Sequence, residues 1–154
     1  MVSLDDVYRK FGEVSEAAQL LETELGTILL EIHAVESDLF SVERREEAAE
    51  ILTRINNSTL GQVLKRISEK VRNLEPAADL FATALAERNR LSHSFFRQHN
   101  FRRNSHEGRA VMLADLESIH RKVLEAFKVA LAVSGIDLDS LRLPGLPTRH
   151  LKLD

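Results

Sequence analysis

LDDVYRKFGEVSEAAQLLETELGTILLEIHAVESDL, residues 4–39, carries apolar side chains at Leu4, Val7, Phe11, Val14, Ala18, Leu21, Leu25, Ile28, Ile32, Val35 and Leu39. The steps alternate between three and four, the spacing of a heptad seam along one face of an α-helix. Sustained over about five heptads, the pattern predicts one long helix that crosses its neighbours at a shallow angle. At ~1.5 Å per residue such a helix spans roughly 45 to 50 Å, more than a compact core of this chain's size needs. Two uses of the seam stay open, an intramolecular core or contact with a second copy of the same helix, and the first is the commoner.

Shorter helices follow. One is expected from about Val42 to Ile55, with Ala48, Ile51, Leu52 and Ile55 inward, ending at Asn56-Asn57. Thr59 and Gln62 have capping-box spacing, after which Leu60, Val63, Leu64, Ile67, Val71 and Leu74 make the apolar face of a third helix. Pro76 can open a fourth, running to about Arg97 or His99 with Leu80, Phe81, Ala84, Leu85, Leu91, Phe95 and Phe96 apolar. A polar loop then leads to a last helix from about Glu107 to Ser134, which Gly135 is placed to terminate. No stretch shows strand periodicity. The expectation is an all-α, up-and-down bundle of about five helices in a single domain, residues 1–136, with a proline-containing arm or tail at 137–154.

At 154 residues, 44% apolar and 29% charged, the chain suits one folded domain. It contains no cysteine, which excludes a disulfide framework, a thiolate metal site and a thiol nucleophile. Its apolar runs are too short for a membrane span and its N-terminus lacks a secretion signal, so a cytoplasmic location without a membrane partner is expected. The net charge of −3 conceals an uneven distribution. Residues 88–109 hold Arg88, Arg90, Arg97, Arg102, Arg103 and Arg109 against the single acid Glu107, so this window is +5 and the remainder −8.

Three residues in the fourth helix stand out for their chemistry. Asn89 and His93 are one turn apart and about 40° apart around the helix, whereas Arg88 is roughly 140° from His93. One helix cannot aim all three at one point; an antiparallel second copy would let two sets converge in one cleft. An imidazole with an ordinary pKa of ~6.5 can take a proton from a 2′-hydroxyl or return one to a departing 5′-oxygen. A guanidinium offers a charged fork to two phosphate oxygens. An amide can orient either. With the nucleophile supplied by RNA, this chemistry calls for no metal and no cofactor. His93, His99 and His106 are spaced by six and seven residues, which matches no helical pairing of metal ligands. His120 falls on the apolar stripe of Leu113, Leu116, Val123 and Phe127 and is expected to be a core histidine.

The ordered set Thr59-Leu60-Gly61-Gln62, Glu87-Arg88-Asn89-Arg90-Leu91 with His93 and Phe95-Phe96, and Glu107-Gly108-Arg109 resembles stand-alone bacterial HEPN proteins over roughly residues 58–130. The resemblance implies a homodimeric, metal-independent endoribonuclease with a composite site, leaving a 2′,3′-cyclic phosphate and a 5′-hydroxyl. By position, His93 would be the acid/base, Arg88 the phosphate-binding group and Asn89 the orienting residue. Apart from the resemblance, the local positive charge around His93 in sequence points to Arg90, Arg97, Arg102, Arg103 and Arg109 as holders of RNA phosphates. HEPN proteins of this kind often act as toxins or in antiphage defence, restrained by an antitoxin or regulatory protein. HEPN toxins silenced by nucleotidyl transfer have a tyrosine two residues after the histidine; here that residue is Phe95, and Tyr8 is the only tyrosine. Two other readings stand beside the enzyme: a non-catalytic dimer of the same fold binding nucleotide, RNA or a protein partner, and a purely structural bundle.

Overall fold

Ser3 and Asp6 open the first helix by exchanging hydrogen bonds. The Ser3 hydroxyl accepts from the Asp6 amide at 3.1 Å, and the Asp6 carboxylate accepts from the Ser3 amide at 2.9 Å, which satisfies two of the donors a helix start leaves unpaired. From this cap α1 runs as Leu4–Ser37 in the computed structural model, which describes residues 1–37, 45–70 and 75–135. There follow α2 (Arg45–Asn56), α3 (Leu60–Lys70), α4 (Glu75–His93), α5 (Phe95–His99), a 3₁₀ turn (Asn100–Asn104) and α6 (His106–Val133). Every element among the described residues is helical, as the apolar spacing requires. Leu39, Val71, Leu74, the expected start of α2 at Val42 and the arm at 137–154 lie outside the described residues.

The contacts between helices give their directions. Val2 meets His106, Lys10 meets His120 and Glu24 meets Ser134, so α1 and α6 run parallel. Arg88 reaches Glu22, while Arg90 reaches Asp115 and Glu87 reaches Lys122, so α4 runs against both. Gly61 faces Leu85 and Gly26 faces Ile55, which fits α2 descending and α3 rising beside the upper half of α1. With α4 and α5 counted as one broken rod, the chain goes up, down, up, down, up.

This topology accounts for the length of α1. Its first two-thirds packs on α6 and α5, and its last third is covered by the shorter α2 and α3, so one helix serves two layers of core. Val7, Val14, Ala18, Leu21, Leu25 and Ile28 of the seam are buried in the chain's own core, with Phe11 and Ile32 packed against it. Ile32 is the last seam residue that packs among the described residues, since Val35 is 77% exposed. No helix among the described residues is long and apolar enough to cross a membrane.

The local punctuation also forms. Thr59 and Gln62 make the expected capping box, the Thr59 amide donating to the Gln62 side chain at 2.9 Å. Gly135, at φ +78°, ends α6 with its amide on the Ala132 carbonyl at 3.1 Å, a conformation that suits glycine. The expected single fourth helix is instead two. Ser94 leaves helical geometry at φ −142° while its hydroxyl bonds back to the Arg90 carbonyl at 3.2 Å. Just past the break Phe95 is fully buried, its ring 5.8 Å from Phe11 and edge-on to Phe96 at 5.2 Å.

After α5 the chain reverses tightly, and Gly108 makes that possible. A Cβ on Gly108 would lie 2.1 Å from the Arg102 carbonyl oxygen and 2.7 Å from its backbone carbons, so the turn packs directly on the start of α6. Gly108→Ala should therefore push the 100–104 turn off α6 and destabilise the domain by about 2 kcal/mol or more, read as a fall of several degrees in Tm; an unchanged Tm would show that the turn gives way freely.

Candidate active site

Arg88, Asn89 and His93 sit on the last turns of α4. Two residues further, Arg90 turns inward to α6, and at ~100° per residue this sends Arg88 to the opposite side, toward α1. There its Nε donates to the Glu22 carboxylate and its Nη1 to Asn89 Oδ1 at 3.1 Å. Both partners of the Arg88–Glu22 pair are about 30% exposed, so the guanidinium is held yet still reached by solvent. Arg88 and Asn89 are thus brought together. His93 is exposed, and no described residue hydrogen-bonds its ring. Within one chain the structure does not bring it to Arg88.

Arg90 belongs to a different assembly. Its two terminal nitrogens each lie 2.8 Å from an oxygen of Asp115, a two-pronged pair, and its Nε donates to Glu87 at 2.7 Å. Glu87 also takes Lys122 of α6. On the other side of Asp115, His99 Nε2 lies 2.8 Å away, and His99 Nδ1 meets Arg102 Nη1 at 3.1 Å. Arginine can only donate, so Nδ1 accepts and the Nε2 hydrogen goes to Asp115. His99 is only 4% exposed, and its ring lies tilted with its centroid 4.5 Å from that of Phe95. The network ties α4, α5, the 3₁₀ turn and α6 together.

The charges in it reinforce one another. The Arg90 fork, aided by His99 and opposed by burial, holds the Asp115 carboxyl down to about 2. The same contact with Asp115 raises the Arg90 pKa. Burial works against the Glu87 carboxylate, but hydrogen bonds from Lys122 and Arg90 outweigh it and lower its pKa.

The remaining arginines of the window have separate fates. Arg109 holds the N-terminus, its Nε donating to the Val2 carbonyl at 2.9 Å and its Nη1 to the Arg103 carbonyl at 3.0 Å. His106 Nδ1 accepts from the Val2 amide at 3.0 Å. Arg103 donates to the Tyr8 hydroxyl at 3.1 Å, and Arg97 is exposed on α5. None of Arg97, Arg102, Arg103 and Arg109 makes an ion pair among the described residues. Arg90, expected at phosphate, is instead committed to carboxylates of its own chain, and Arg109 is occupied by backbone oxygens.

His120, expected in the core, is partly buried and accepts at Nδ1 from the Lys10 ammonium at 2.8 Å; burial, then the Lys10 charge, lowers its pKa. Glu22 and Asp115, the partners that orient the motif, carry no local signal in the sequence. They are polar positions on other helices, brought near only by packing. No family model matches the chain, and neither the curated proteins nor the solved structures contain a significant match.

Asp115 predicts a pH dependence. Its folded pKa is depressed from 3.8 to about 2, so the stabilisation is present above pH ~4 and is lost as pH falls toward ~2. The shift corresponds to on the order of 2 kcal/mol. In urea unfolding, Asp115→Asn should start less stable at neutral pH and lose less than wild type on acidification. Parallel acid losses in the two proteins would remove Asp115 from the account.

Proposed function

We propose that the chain is a metal-independent endoribonuclease of the HEPN type, acting as a homodimer whose two α4 ends form one cleft. The observation that carries this reading is the pairing at the end of α4. A guanidinium is oriented by Glu22 and Asn89, and one turn on from Asn89 an imidazole stands exposed with no described partner to occupy it. The fold engages His99, His106 and His120 and leaves the His93 ring to solvent.

In this reading the 2′-hydroxyl of the substrate attacks the adjacent phosphorus as His93 of one copy takes its proton. The 5′-oxygen leaves with a proton returned by a histidine, giving a 2′,3′-cyclic phosphate and a 5′-hydroxyl. Arg88 stabilises charge on the non-bridging oxygens, and Asn89 orients Arg88 through the contact it already makes. A substrate phosphate competes with Glu22 for Arg88, so Glu22 keeps the fork in place until RNA arrives.

The outer face of α4 suits a second copy. Ala78, Ala82 and Ala86 are exposed, and at ~100° per residue they share one stripe with Asn89 and His93. Beside the stripe, a cavity of about 330 Å³ is lined by Gly61, Leu64, Phe81, Ala82 and Leu85. A toxin or defence role, with an antitoxin or regulatory partner, extends the same reading. The alternative is a dimer that binds nucleotide, RNA or protein without cutting, and the Arg88–Glu22 pair favours it in one respect, since a carboxylate already satisfies the guanidinium.

The test is cleavage of mixed cellular RNA in EDTA by wild type, His93→Ala and Arg88→Ala. Wild type should yield cyclic-phosphate ends, with a loss of roughly 10²- to 10⁴-fold in His93→Ala. Equal inertness of all three on RNA would leave the binding reading in its place.

A further inference from the structure

Beyond the cleavage site, exposed aromatic rings stand on α1, α5 and the 3₁₀ turn, the last two near in sequence to arginines that make no ion pair among the described residues. Phe101 is 76% exposed, Tyr8 44% and Phe96 39%. Tyr8 and Phe96 lie with ring centroids 6.0 Å apart, and Arg103 bridges from the Phe101 turn to the Tyr8 hydroxyl. Arg97 follows Phe96 in α5, and Arg102 follows Phe101 in the turn.

The surface is held rigid. The turn carrying Phe101 is packed against Gly108, and the Arg103 carbonyl is held by Arg109 at 3.0 Å. The Arg102 side chain is fixed to His99 at 3.1 Å. From this anchored turn Phe101 is presented to solvent.

We propose that Tyr8, Phe96 and Phe101, with the guanidiniums of Arg97, Arg102 and Arg103, form a platform on which single-stranded RNA stacks its bases and rests its phosphates beside His93. The inference rests on the preceding functional reading for the kind of polymer, and it adds the form of that polymer. Stacking needs unpaired bases, because a duplex hides their faces, whereas every single-stranded base has a face for an aromatic ring. Among the described residues these arginines have no carboxylate partner, so phosphates can supply the opposite charge. A second copy docked through the same patch would bring like charges together, which disfavours it as the occupant. His93 lies three residues before Phe96, across the Ser94 break, so a strand on the platform leads to the cleavage site.

Binding can be read apart from cleavage with a 2′-O-methyl oligoribonucleotide, which has no free 2′-hydroxyl to attack. Fluorescence anisotropy of the wild-type protein with a labelled single strand of mixed sequence, and with a duplex of equal length, sets the baseline. Phe101→Ala should weaken the single strand roughly 5- to 100-fold, with little change for the duplex and an unchanged Tm. Arg97→Gln should lower the salt slope of single-strand binding by about 0.7. Unchanged single-strand affinity in Phe101→Ala overturns the platform, as does an equal loss for both forms. A change of oligomeric mass in Phe101→Ala also overturns it and assigns the patch to contact between copies. If the single strand binds through Phe101 while natural RNA is never cut, the platform stands and the ribonuclease reading falls; cleavage without Phe101-dependent binding gives the reverse.

Discussion

The two-pronged contact between Arg90 and Asp115 sets the geometry of the site. Apolar packing between α4 and α6 is non-directional and would tolerate some rotation of α4 about its axis. Two parallel hydrogen bonds to a fixed carboxylate do not. With Arg90 turned to α6, the residue two positions earlier must turn to α1, where Glu22 receives it, and Asn89 and His93 are left facing outward. The direction of each motif side chain therefore follows from a pair that is not itself at the candidate site. Asp115 extends the hold to His99, and His99 to Arg102, so the turn bearing Phe101 is positioned by the same carboxylate.

Around this clamp the bundle is economical in its use of α1. A five-rod up-and-down chain makes its first and last long helices parallel, and α1 exceeds α6 in length at the end where α2 and α3 sit. The upper part of the seam is covered by helices of 12 and 11 residues, which are too short to be stable without such a partner. That arrangement explains a seam longer than one helix pair requires without recourse to a zipper between copies. Any dimer then has to use another surface, and the small-residue stripe of α4 carries Asn89 and His93 on it.

The six arginines of the 88–109 window show how little a charge count says about role. Arg90 is half-buried in an ion network, Arg88 is shared between a carboxylate and an amide, and Arg109 supports backbone carbonyls. Arg97, Arg102 and Arg103 are exposed and make no ion pair among the described residues, and Arg103 reaches the Tyr8 hydroxyl. A reading that assigns phosphate to all the arginines outside the motif merges three physical situations: desolvated pairing, backbone support and open surface. Only the last leaves a cation for an external anion.

Patterns that depend on near neighbours in the chain could be read without coordinates. The heptad seam, the Thr59–Gln62 box, the glycine stop at Gly135 and the all-helical architecture are consequences of helical period and of unpaired amides at helix ends, which act within a few residues. The identity of Arg88, Asn89 and His93 as an unusual polar set was legible for the same reason. What tertiary structure alone decided is the company each side chain keeps: Glu22 with Arg88 across 66 positions, Asp115 with Arg90 across 25, and Tyr8 with Arg103 across 95. The break at Ser94 belongs there too, since the apolar spacing runs through it without interruption. These outcomes rest on packing between segments distant in the chain, and no local periodicity encodes which carboxylate a given arginine will meet.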